Sequence, residues 1–100
     1  MDYPLAPLAE FIDGPQGRTN CGVMIDCPNC GMSGAAWFKN PIDGGPPVHP
    51  VQWDRTGETL ETLTLNPSFQ MIGHYHSWIR NGMLCVDSEF SCVKRAIEPA

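Results

Sequence analysis

Basic residues are scarce in this chain: six Lys and Arg stand against eleven Asp and Glu, for a formal charge of −5. Binding along a phosphate backbone draws on clustered Lys and Arg. Here only Lys94 and Arg95 are adjacent, so the composition argues against direct nucleic-acid binding. No apolar run approaches the roughly 20 residues that a membrane-spanning helix needs. The start, Met1-Asp2-Tyr3-Pro4, has neither the basic nor the apolar stretch of a secretory signal. The expectation is a cytoplasmic, reducing setting without membrane association. Of the five cysteines (Cys21, Cys27, Cys30, Cys85 and Cys92), the C-x-x-C pair Cys27 and Cys30 in such a setting serves metal or redox chemistry rather than a structural disulfide, Cys21 is a free thiol, and Cys85 and Cys92 read first as small apolar filler. Two catalytic zinc signatures are also missing: H-E-x-x-H, and H-x-E combined with P-C-x-x-C.

What remains is small and rich in chain breakers. One hundred residues make one domain. A chain of this length buries only about two-thirds of the surface that its unfolded form exposes. With Gly 10 and Pro 10, a loop-rich core of this size calls for a staple. A structural zinc ion supplies one, with apparent binding free energies of roughly 10–16 kcal/mol in finger peptides.

The residues for such a site are present. Cys27-Pro28-Asn29-Cys30-Gly31 is a C-x-x-C-G turn that places two sulfurs on one tight loop. His74-Tyr75-His76, read as extended chain, sets two imidazoles on one face of a strand. Two sulfurs and two nitrogens suit a tetrahedral Zn2+ ion. The expected ligands are therefore Cys27, Cys30, His74 and His76. Cys85, Cys92, His49 or water stand as alternatives for the fourth position held by His74.

The pattern along the chain predicts a small, mostly β (or α+β), loop-rich domain. Residues 1–20, punctuated by Pro4, Pro7 and Pro15, form a lead-in packed on the core of a zinc-stabilised domain over 21–100. Strands are expected at 22–26, 35–38, 51–53 and 62–65. Residues 40–50 are loop. The clearest element is a C-terminal β-hairpin, 77–80 and 83–86, around Asn81-Gly82, the preferred pair of a type I′ turn. A helical turn is expected near 92–96.

Several segments together resemble a family of small proteins encoded by bacteriophages and mobile elements. They are Gly22-Val23-Met24-Ile25-Asp26-Cys27-Pro28-Asn29-Cys30, then Leu63-Thr64-Leu65-Asn66-Pro67-Ser68, then His76-Ser77-Trp78-Ile79-Arg80-Asn81-Gly82. The resemblance covers about residues 22–84 and implies a zinc-ribbon-like metal site and a phage or prophage origin. It implies no particular reaction. By position, Cys27, Cys30 and His76 match the family's metal-binding residues, while its third cysteine falls at Gly73, so that His74 is the chemical substitute.

Two function classes follow. The first is a small acidic zinc-binding module that interacts with another protein, such as a host or defence factor. The second is a hydrolase-like enzyme whose zinc keeps a position open for water. The interaction reading fits more of the sequence, since no carboxylate is tied to the metal motif. A minor virion or assembly component is a further alternative.

Overall fold

The computed structural model describes residues 1–94 and is nearly all β. Eight strands follow in order: β1 (Asp2–Pro4), β2 (Ala9–Ile12), β3 (Gly22–Asp26), β4 (Ser33–Trp37), β5 (Asp54–Thr56), β6 (Thr64–Met71), β7 (Tyr75–Arg80) and β8 (Met83–Val86). A single 3-10 turn, Ala6–Leu8, joins β1 to β2. The strands form two antiparallel sheets, one of five strands ordered β1-β8-β7-β6-β5 and one of three ordered β2-β3-β4. Of the helical turn expected at 92–96, residues 92–94 are irregular and 95–96 lie outside the described residues.

The segment expected as a lead-in contributes an edge strand to each sheet. Asp2 pairs with Cys85 and Tyr3 with Leu84, while Phe11 pairs with Val23. Leu5, between them, is fully buried. Short edge strands of this kind, one ending in Pro4, offer little free edge to another chain.

Alternation decides which side chains meet between the sheets. On β7, Tyr75, Ser77 and Ile79 point inward, and His76, Trp78 and Arg80 point outward. Val23, Ile25 and Ala36 of the smaller sheet join Leu65, Phe69, Ile79 and Leu84 of the larger sheet, and Leu63 just ahead of β6, in one continuous apolar cluster. Among the described residues Ser77 is the one polar side chain at full burial, and its hydroxyl donates to the Phe69 carbonyl at 3.1 Å.

The hairpin turns at Asn81 (φ 47°) and Gly82 (φ 76°), the pair of positive angles that a type I′ turn requires. A methyl group at Gly82 would also collide with the Glu61 carbonyl. β6 runs past Pro67 with an irregularity in its register between Leu65 and Phe69, the usual accommodation for a proline within a strand. The strand expected at 51–53 is instead an isolated bridge between Trp53 and Phe38, followed by β5.

The loop over residues 40–50 is held by side chains and by a few backbone contacts, among them the Ile42 amide donating to the Asn20 carbonyl at 3.2 Å. The Arg18 guanidinium grips the Asp43 carboxylate with two contacts of 2.8 Å and donates to the Pro46 carbonyl at 2.7 Å. That bidentate grip holds the Asp43 carboxyl well below the usual carboxylate range. His49 stacks on Trp37 with ring centroids 6.1 Å apart.

Candidate metal centre

Three separate stretches of chain deliver four donor atoms to one place. The first is the knuckle between β3 and β4. The Met32 carbonyl accepts from the Cys27 amide at 2.7 Å, and the Cys27 carbonyl accepts from Gly31 at 2.9 Å. Gly31 has φ 81°, a conformation that glycine adopts without cost. This closed turn brings the Cys27 and Cys30 thiols to one side. The second stretch is the turn between β6 and β7, where Gly73 (φ 81°) presents His74. The third is the irregular chain after β8, which brings Cys92.

The ligating atoms of Cys27, Cys30, His74 and Cys92 all lie within 4.8 Å of one another. A tetrahedral ion about 2.3 Å from each sulfur sets its sulfurs about 3.8 Å apart. Cys27 Sγ and Cys92 Sγ are 3.7 Å apart. Cys30 Sγ lies 3.2 Å from His74 Nδ1. The set therefore suits a metal ion, and all five cysteines are free thiols.

The surroundings carry further groups suited to a charged centre. Asn29 Nδ2 donates to both the sulfur and the carbonyl of Cys92, each at 3.1 Å. This donation, helped by His74 and the other two thiols, lowers the Cys92 thiol to about 7. Burial pushes the Cys27 thiol up. Tyr75, only 3% exposed, has a buried hydroxyl with no hydrogen-bond partner among the described residues. Burial, then the charges of Cys27 and Cys30, pushes its ionisation well above the ordinary value. An orphaned buried donor costs about 1–3 kcal/mol.

Cys27, Cys30 and His74 of the expected set come together, with Cys92 as the fourth member, whereas His76 lies outside the group. The reason is local geometry. The rule that i and i+2 share a face applies within a strand, but His74 sits in the turn, before β7 begins at Tyr75. His76 points to the outer face, where Nδ1 pairs with the Asp87 carboxylate. That pairing lowers the Asp87 carboxyl. Trp78 meets the His76 ring edge-on, and Arg80 lies over Trp78 at 4.5 Å.

The other candidates for the fourth position are elsewhere. Cys85 is on β8 opposite Trp78, and His49 rests on Trp37. Cys21 is fully buried outside the group.

Cys92 had a readable signal. The hairpin register pairs Ser77 with Val86, so continuing it sets residue 89 opposite His74. The chain beyond β8 must then pass His74, and Ser91 does donate to the His74 carbonyl at 2.8 Å. Phe90 packs edge-on against Tyr75 at 5.8 Å and anchors that return. Among the described residues no helix is long and apolar enough to cross a membrane. No family model, curated protein or solved structure matches the chain.

Proposed function

We propose that the Cys27, Cys30, His74 and Cys92 set binds Zn2+ as a closed structural centre, and that the chain acts as a protein-interaction module. The convergence of three sulfurs and one imidazole from three chain segments carries the first half. Soft thiolates with an imidazole select zinc over hard cations such as magnesium or calcium. Four protein donors complete a tetrahedral ion, which disfavours the hydrolytic alternative with its open position. Elemental analysis of the purified protein tests this reading. One zinc per chain is expected, and a chain without metal after reconstitution overturns it.

The interaction half rests on what surrounds the centre. Met32, Ile72 and Val93 are large apolar residues exposed by 62%, 86% and 87%. Each lies within two positions of a member of the donor set, so apolar surface is concentrated where the three segments meet. Exposed apolar groups gathered in one place mark contact surfaces more often than scattered ones do. The formal charge of −5 favours a basic partner and speeds encounter. The resemblance to phage-encoded proteins makes a host or phage protein in the bacterial cytoplasm the partner of choice. A partner captured by the zinc-loaded protein should be lost on Ile72→Glu with zinc content unchanged. Capture that survives this change would refute the surface, and co-purification with phage particles would favour the assembly role.

A further inference from the structure

We infer that Cys27 and Cys92 form a site of thiol oxidation, which takes a hydroperoxide as its oxidant and expels the metal ion as the two sulfurs join. The inference rests on the metal-centre reading above.

The two sulfurs are 3.7 Å apart. A disulfide needs about 2.05 Å, so the closure required is small and one flexible side can supply it. Cys27 is the fixed partner: it directly follows β3, is 2% exposed and is tied through its amide to Met32. Cys92 is the movable partner. It lies in irregular chain after β8, anchored by Ser91 to His74 and by the Asn29 side chain. Cys30, in contrast, has its sulfur against the His74 ring at 3.2 Å.

Access differs in the same sense. Cys92 is partly exposed whereas Cys27 is only 2% exposed, so a small peroxide meets the Cys92 sulfur first.

The chemistry closes without a further reactant. The Cys92 thiolate attacks the terminal peroxide oxygen, the O–O bond breaks, and the departing alkoxide or hydroxide takes a proton. Cys92 is then a sulfenic acid. The Cys27 thiolate attacks that sulfur, the S–S bond forms, the S–O bond breaks, and the hydroxyl leaves as water after taking a proton. Two thiols have lost two electrons, and the peroxide has become an alcohol, or water, plus one water. Only Cys30 and His74 then remain of the donor set, too few to hold the ion.

The test uses the zinc-loaded protein and hydrogen peroxide. Metal release is followed with a chromogenic chelator, and the remaining thiols are alkylated before proteolysis and tandem mass spectrometry. The expected result is one zinc released per Cys27–Cys92 linkage, with Cys21, Cys30 and Cys85 alkylated. A thiol reductant plus zinc should restore the starting state. Three results overturn the inference while leaving the metal centre standing: zinc retained at excess peroxide, a Cys27–Cys30 linkage in place of the expected one, or Cys92 driven to sulfinic acid with no linkage. A chain that takes up no zinc at all removes the metal-centre reading and this inference with it.

Discussion

Replacing Cys92 should weaken metal binding strongly and replacing His76 should leave it unchanged, and the contrast tests the donor set directly. Cys92→Ala removes one of four donors. If a binding free energy of about 10–16 kcal/mol is shared evenly, each donor accounts for about 2.5–4 kcal/mol. At 1.4 kcal/mol per decade, affinity falls on the order of 60- to 700-fold. His76→Ala removes only a partner of Asp87 on the outer face, an exposed pair that contributes little. Its zinc affinity should stay within about twofold of the wild type. Competition against a chromogenic chelator reads both values. Thermal unfolding at fixed free zinc gives a second reading, because a hundredfold weaker ligand withdraws about 2.7 kcal/mol of stabilisation. For a domain of this size that lowers Tm by roughly 10–20 °C. The donor set is refuted if His76→Ala weakens binding as much as Cys92→Ala with secondary structure intact. It is refuted equally if Cys92→Ala binds as the wild type does.

Tyr75→Phe removes a buried hydroxyl that has no hydrogen-bond partner among the described residues and should raise stability by about 1–3 kcal/mol in chemical denaturation; a loss of stability would show that the hydroxyl is paired. Leu65→Ala should cost about 3 kcal/mol in chemical denaturation, because the side chain is fully buried between the sheets. Gly82→Ala combines a positive φ with a collision at Glu61 and should cost more than about 1 kcal/mol. Arg18 depresses the Asp43 carboxyl in the folded protein, so its contribution to stability is present above the unfolded carboxylate range. That contribution is lost as pH falls toward the lower folded value. The stability gap between wild type and Asp43→Asn should therefore shrink from about pH 5 downward; a gap that widens in acid would contradict the pairing.

How much of this was legible depended on distance along the chain. β3 reads directly from Gly22-Val23-Met24-Ile25-Asp26, and β7 and β8 from Asn81-Gly82, because strand alternation and turn chemistry are local. β1 was hidden because Asp2-Tyr3-Pro4 gains strand character only by pairing with residues 83–85. β6 was cut short because Pro67 is a breaker by local rules, yet the sheet absorbs it at an irregular register. In the metal centre, the knuckle is a local motif and was plain. His74 and His76 differ only in which side of a strand boundary they fall, and alternation alone cannot locate that boundary. Cys92 required the hairpin register to be carried past its last paired residue.

The position of β1 also bears on how the protein is made. Among the described strands β1 pairs only with β8, and the Met1 amino group donates to the Val86 carbonyl at 2.7 Å. During synthesis β1 thus has no strand partner until residues 83–85 have emerged. The three-stranded sheet and the knuckle, complete by residue 37, can form before then. The five-stranded sheet and the fourth donor wait for β8 and Cys92. The smaller sheet should accordingly form vectorially and the larger one in a concerted step, and a proline at Tyr3, opposite Leu84, would interfere with the later step rather than the earlier one.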